Sequence, residues 1–162
     1  MNRPLLTTAL SLIAISWLTF LLSFFLPASD VVSLPNTGES ALTGWQAMVS
    51  SVTLVFLTPI LLFAEPRCLL FFVFPFTNFT FLVLPIAVLW LRGDSWVLIP
   101  VMLTAYGIPF VIPSGFFRNL YIGFYLWHNS HLLGAVGVGL ASYAFACLDK
   151  SLGIAEAMRR AT

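Results

Sequence analysis

An all-α, polytopic helical membrane bundle is the fold class that this sequence predicts, and three observations predict it. The 162-residue chain is 60% hydrophobic and only 8% charged, and its mean hydropathy is +1.00, a composition of proteins dissolved in lipid. Nearly all of its charges sit in short gaps between long apolar runs. The longest of these runs, residues 119–148, carries no charge, and about 20 residues already suffice for a helix to cross the hydrocarbon core. A net charge of +1 spread this thinly builds no basic patch, which excludes nucleic acid as a partner.

The whole chain reads as a single membrane domain, 1–162, and its elements follow in order. Residues 5–26 form the first span, preceded by Arg3 and closed by Pro27. This run is too long for the apolar region of a cleaved signal peptide and no A-x-A site follows, so it reads as a retained anchor. Its polar positions are all hydroxyls, which can bond back to the carbonyls of their own helix. Residues 28–44 form an external loop with Asp30 and Glu39 and no Lys or Arg. Thr43 and Gln46 then have the spacing of a capping box at a helix start, with Trp45 suited to the interface.

Residues 45–67 admit two readings. They are long enough to span, yet Gln46, Ser50 and Thr53 lie on one side, Pro59 interrupts them and Glu65-Pro66-Arg67 follows. Residues 68–91 are a span with Pro75, Pro85 and the polar patch Thr77-Asn78-Phe79-Thr80; neighbouring helices can satisfy the backbone groups that each proline frees. Arg92-Gly93-Asp94-Ser95 makes a tight turn, and 96–113 is a short, bent span with Pro100, Gly107 and Pro109. The last span is 119–148, followed by a polar cytoplasmic tail, 149–162. Hydropathy alone counts five transmembrane helices. Positive charges favour four, with 45–67 an interfacial or re-entrant helix: Arg3, Arg92, Lys150, Arg159 and Arg160 then share the inside with both termini, and Arg67 and Arg118 are outside.

The last helix is the element around which the others are expected to pack. At about 100° per residue, Tyr121, Tyr125, His128, Leu132, Ala135, Gly139 and Tyr143 form one stripe, with His131 at its margin. Gly123, Ser130, Gly134, Gly137, Ala141 and Ala144 lie roughly opposite. Small residues mark where helix backbones approach closely in lipid, so Gly123, Gly134, Gly137, Gly139, Ala135, Ala141, Tyr121 and Tyr125 are the candidate packing residues. The bulky flanks, Trp127, Val138 and Phe145 on one side and Ile122, Leu126, Leu133 and Leu140 on the other, are expected to meet lipid.

His128 and His131 are the sharpest chemical feature. A neutral imidazole can ligate haem iron or chlorophyll magnesium, so both are candidate cofactor-binding residues. Residues three apart on a helix point the same way, so the pair cannot grip one haem from both faces. The plainer reading leaves them hydrogen-bonded near the interface, with no cofactor. A lone H-x-x-H lacks the ligand number that zinc wants, and no metal site is predicted. Cys68 and Cys147 form no C-x-x-C and read as small apolar fillers.

Phe25-Leu26-Pro27 closing the first span, L-T-G-W-Q-A at 42–47 and Y-I-G-F-Y-L-W at 121–127 resemble a loose set of small uncharacterised bacterial inner-membrane proteins. That resemblance implies about four spans and a location in the bacterial cytoplasmic (inner) membrane. It carries no activity and gives no residue a catalytic role. The histidines after Trp127 lie outside its pattern.

Transport and proton relay usually leave carboxylates or lysines inside the membrane, and none lies in a confident span here. No two acids can be placed as an acid/base pair, Ser130 and His131 point about 100° apart, and no phosphate loop or nucleophile elbow occurs. The sequence therefore reads as no enzyme. It reads as a non-catalytic accessory or structural subunit that packs onto a larger membrane complex, with integral membrane subunits and lipid as partners and a homo-oligomer as a further option. The alternative is a haem- or chlorophyll-binding subunit of an electron-transfer or photosynthetic complex. A third option is a regulatory or immunity-type protein acting by helix–helix contact.

Overall fold

A computed structural model describes residues 3–31, 41–49, 52–53, 70–111 and 117–161. The protein is mostly helical, and three of its segments, Arg3–Ser23, Leu84–Gly107 and Ile122–Ile154, are long and apolar enough to cross a membrane. It is a helical membrane bundle.

Helix α1 (Arg3–Ser23) is rich in Leu, Ala and Ile, and three of its hydroxyls are satisfied within the helix. Thr7, Thr8 and Thr19 donate to the carbonyls of Arg3, Pro4 and Ile15, four residues back. Pro27 disfavours helical geometry in the residue before it, and the chain leaves α1 for strand β1 (Pro27–Val31). With β2 (Ala41–Thr43) and β3 (Phe117–Leu120) it forms an antiparallel sheet of order β2-β1-β3, with Pro27 opposite Thr43 and Ser29 opposite Leu120. Residues 27–31, 41–43 and 117–120 are thus strand, where the sequence pattern predicts a loop over 28–44 and places 119–120 in the last span. Strands of three to five residues are too short to display the alternation by which strands are recognised. After β2 the capping box forms: the Thr43 amide donates to Gln46 Oε1 at 2.9 Å and the Gln46 amide to Thr43 Oγ1 at 3.3 Å, and 44–49 are helical. Most of the segment 45–67 lies outside the described residues.

Helices α2 (Leu70–Leu82) and α3 (Leu84–Leu91) break at Val83. Pro85 has no N–H to donate and its ring crowds the carbonyl four residues earlier. At this break Trp17 of α1 donates its indole N–H to the Leu82 carbonyl at 3.0 Å. A 3-10 turn, Arg92–Leu98, follows, and then α4 (Ile99–Val111). The apolar segment 84–107 is folded back on itself at this turn, as the contacts to the last helix, α5 (Ile122–Ala161), establish. Asn78, Phe81 and Arg92 meet Trp127, His131 and Asp149, so α2–α3 runs parallel to α5. Ser95, Ile99 and Tyr106 meet Ser142, Gly139 and His128, so α4 runs antiparallel. Helix α1 is also antiparallel, with Pro27, Ser16 and Ile13 at the levels of Gly123, Ser130 and Gly137.

The bundle therefore has a sheet end and a hairpin end. Exposed Phe25, Trp45 and Tyr125 ring the first; exposed Trp90, Trp96 and Tyr143 ring the second. Along α5, positions 125 and 143 are about 27 Å apart, close to the hydrocarbon thickness that such aromatic belts flank. Between them, Phe20, Phe81, Leu84, Val88, Met102 and Val138 form the core.

Two boundaries differ from the sequence expectation. Helix α5 begins at Ile122, because Asn119 and Leu120 pair in β3, and it does not end at Leu148. Its 40 residues, about 60 Å, continue through the segment expected to be a polar tail. Ala, Glu, Met and Arg there are strong helix formers, and extending an existing helix avoids the cost of nucleation.

The reversal at the hairpin end is strained. Arg92 has φ 50° and ψ −118°, a region that disfavours any residue with a Cβ and typically costs about 1–3 kcal/mol. Its guanidinium reaches Asp149 Oδ1 at 2.9 Å with both side chains half exposed, a pair worth at most about 1 kcal/mol. Arg92→Gly is accordingly expected to raise the thermal unfolding midpoint in detergent and Arg92→Ala to lower it. Equal losses in both variants would show that the backbone is unstrained.

Candidate functional site: the faces of the last helix

Three sides of α5 are covered by the rest of the chain. On the first, Gly134 and Gly137 lie against α1: a Cβ at Gly134 would sit 2.9 Å from Ser16 Oγ and from a ring carbon of Phe81, and one at Gly137 would sit 2.9 Å from Ile13 Cγ1 and 3.2 Å from the Ile13 amide nitrogen. Ser16 donates to the Ser130 carbonyl at 2.8 Å in the same seam. At the sheet end Gly123 meets backbone, with a Cβ there 2.7 Å from the Pro27 carbonyl oxygen. Ala135 and Ala141 are buried, Gly139 and Tyr121 are half-buried and Tyr125 is exposed.

On the second side stand α2 and α3. Trp127, Val138 and Phe145 are buried here and do not meet lipid as the sequence suggested. The Trp127 indole donates to Asn78 Oδ1 at 2.7 Å, which draws the polar patch of α2 onto this flank. On the third side stand α4 and the hairpin, where Ser95 and Ser142 share a buried 2.7 Å hydroxyl–hydroxyl hydrogen bond. The partner positions Ser16, Asn78, Ser95 and Tyr106 have no spacing relation to α5 in the sequence; their only signal is polarity inside an apolar run.

The two histidines are separated by these neighbours. His131 is 0% exposed, enclosed by the rings of Phe81, Trp127 and Phe20 at 4.5, 4.7 and 5.9 Å. Its Nδ1 lies 2.8 Å from the Trp127 carbonyl oxygen. A carbonyl only accepts, so Nδ1 carries the hydrogen and Nε2 of the neutral ring presents a bare lone pair, for which the structure shows no partner. His128 stacks on Tyr106 at 4.1 Å and 18° and lies nearly parallel to Phe124 at 5.9 Å; its Nδ1 is buried without a partner.

A metal at His131 Nε2 would stand about 2 Å from the nitrogen, and a macrocycle around it would need the volume that Phe20 and Phe81 fill. His131 in this packing does not fit a tetrapyrrole. Among the described residues no group of three or more His, Cys, Asp or Glu could hold a metal ion; Cys147 is a free, half-buried thiol, and Cys68 lies outside the described residues.

What the arrangement offers chemically is a neutral acceptor in an aromatic cage. An unpartnered buried acceptor costs about 1–3 kcal/mol, and an apolar ring of similar size does not carry that cost. His131→Phe is therefore expected to be as stable as the parent or more so in thermal unfolding. A large loss would mean that Nε2 has a partner, and a water held in the core is then the candidate.

No family model, no curated protein and no solved structure matches this chain.

Proposed function

We propose that this chain is a non-catalytic integral membrane subunit that docks on a larger membrane protein through the projecting end of α5. One observation carries the reading. Beyond Asp149, where the hairpin end of the bundle stops, α5 runs on for about 20 Å. On that arm Leu152 is 57% exposed and Ile154 48% exposed. Exposed apolar side chains outside the bundle lose their contact with water when a partner covers the arm.

In this reading the chain crosses four times in a bacterial inner membrane. Gly44 packs against Ser23 and Phe24 at the sheet end. Leu70 opens a helix whose Asn78 has reached the level of Trp127, so it too belongs to the sheet end. The stretch between them starts and finishes on one side, and two further crossings would need about 40 residues. Arg3, Arg92, Lys150, Arg159 and Arg160 gather at the hairpin end, with Arg118 at the other. That asymmetry supports a reading with the hairpin end and both termini inside.

The test is a photo-crosslinking residue at Leu152 or Ile154 in the native membrane, together with truncation after Ser151, which keeps the Asp149 partner of Arg92. A crosslinked adduct with one larger membrane protein is expected. Truncation should abolish co-purification of that protein in mild detergent and leave the unfolding midpoint of the bundle unchanged. A chain that gives no adduct from either position, and whose purified complex is unaffected by the truncation, sinks the proposal.

A further inference from the structure

Among the described residues, nothing covers the fourth side of α5. Between the α1 side and the α4 side, its exposed positions from the sheet end to the hairpin end form a single row that includes Tyr125, Asn129, Leu132, Val136 and Tyr143, with half-buried Gly139 in line. Leu132 is 38%, Val136 49% and Tyr143 61% exposed. Their spacing alternates four and three residues throughout, the repeat of a left-handed helix pair.

Lipid accounts for the leucine and the valine but not for Asn129. Elsewhere on the bundle's surface, the hydroxyls of Thr7, Thr19, Thr80 and Thr104 return their hydrogen bonds to their own helix. A hydroxyl can be satisfied in this way. A carboxamide cannot, because it carries two N–H donors and an acceptor oxygen. Asn129 gives one N–H to the Tyr125 carbonyl at 2.8 Å. Among the described residues, no other bond is made by its second N–H or by Oδ1. It stands about 6 Å inside the level of Tyr125, where hydrocarbon offers neither donor nor acceptor.

We propose that this row is a homodimer interface, occupied by the same row of a second copy in parallel register. Two copies inserted with the same topology are related by an axis along the membrane normal, so equal residue numbers meet at equal depth. Asn129 then faces Asn129 of the mate, and each free N–H reaches the other's Oδ1 in two reciprocal hydrogen bonds. A carboxamide is complementary to itself in this way. The arm of α5 is not part of this contact, so the dimer is independent of any partner docked there.

The experiment uses the full-length chain in its native membrane, with Cys68 and Cys147 replaced by Ala and a single cysteine introduced. Leu132→Cys and Val136→Cys are expected to give disulfide-linked dimers of twice 17.9 kDa. Ile86→Cys, on the exposed face of α3, is the collision control and should not. In mild detergent, Asn129→Leu should weaken the dimer about tenfold in Kd and Asn129→Gln should retain it, with unchanged unfolding midpoints in both. Crosslinking at 132 and 136 no stronger than at 86, crosslinking only to a different protein, or an Asn129→Leu dimer of unchanged affinity each overturns the proposal. Truncation after Ser151 should leave the dimer intact, which separates this outcome from that of the arm.

Discussion

Gly137→Leu is expected to destabilise the bundle more than any other single substitution along the seam between α1 and α5. The added Cβ alone would meet Ile13 Cγ1 at 2.9 Å and the Ile13 backbone nitrogen at 3.2 Å, and three more carbons would have to enter the same seam. The side-chain atom can move; the backbone atom moves only if α1 moves. Overpacking a tight contact typically costs about 1–3 kcal/mol, and displacing a whole helix belongs at or above the upper end of that range. α1 makes its most extensive contact with α5, so the loss reaches the Ser16 hydroxyl's bond to the Ser130 carbonyl and the Phe20–His131 contact. Gly123→Ala should also be costly with only one carbon added, because both of its nearest atoms, at 2.7 and 2.8 Å, are carbonyl oxygens. Gly153 is the internal control. Nothing lies within 4 Å of a Cβ there, and Gly153→Ala should gain up to about 1 kcal/mol from helix propensity. Thermal unfolding of the three variants in one detergent decides the matter. A Gly137→Leu midpoint close to that of Gly153→Ala would mean that α1 is not seated on this ridge.

The second large effect is expected at Trp127. Trp127→Phe removes the indole N–H that donates to Asn78 Oδ1 at 2.7 Å and leaves a buried amide oxygen without its donor, at a cost of about 1–3 kcal/mol. The same logic predicts a rescue. Adding Asn78→Leu to Trp127→Phe replaces both polar partners by apolar ones, and the double variant should be more stable than Trp127→Phe alone. A double-mutant cycle measures the coupling directly. Losses that simply add would show that the two side chains do not depend on each other, and that α2 is held against α5 by shape alone.

These two sites also show what is legible in a sequence and what is not. The placement of Gly123, Gly134 and Gly137 on one face of a helix is arithmetic on the 3.6-residue repeat, and the capping box of Thr43 and Gln46 is a local spacing. The identity of the neighbour is not local. Ile13 and Ser16 lie more than a hundred positions from the glycines they meet, and no periodicity relates the two runs. The tyrosine–histidine stripe illustrates the limit. It looks uniform in projection, yet α4 covers His128 and Ala135 while Tyr125, Leu132 and Tyr143 stay open, because the edge of a neighbouring helix cuts across the stripe.

Composition and hydropathy determined by themselves that this chain dissolves in a bilayer as helices, since a backbone in hydrocarbon must satisfy its own hydrogen bonds and a long uncharged run can do so only by winding up. Pro85 and Pro27 likewise determined where helices break or stop, through a missing N–H and a fixed ring. Only the tertiary structure decided that three short segments pair as a sheet, that the apolar stretch 84–107 doubles back at Arg92, and that α5 outruns the bundle. Each of these depends on contacts between residues far apart in the chain, and such contacts exist only once the helices have packed.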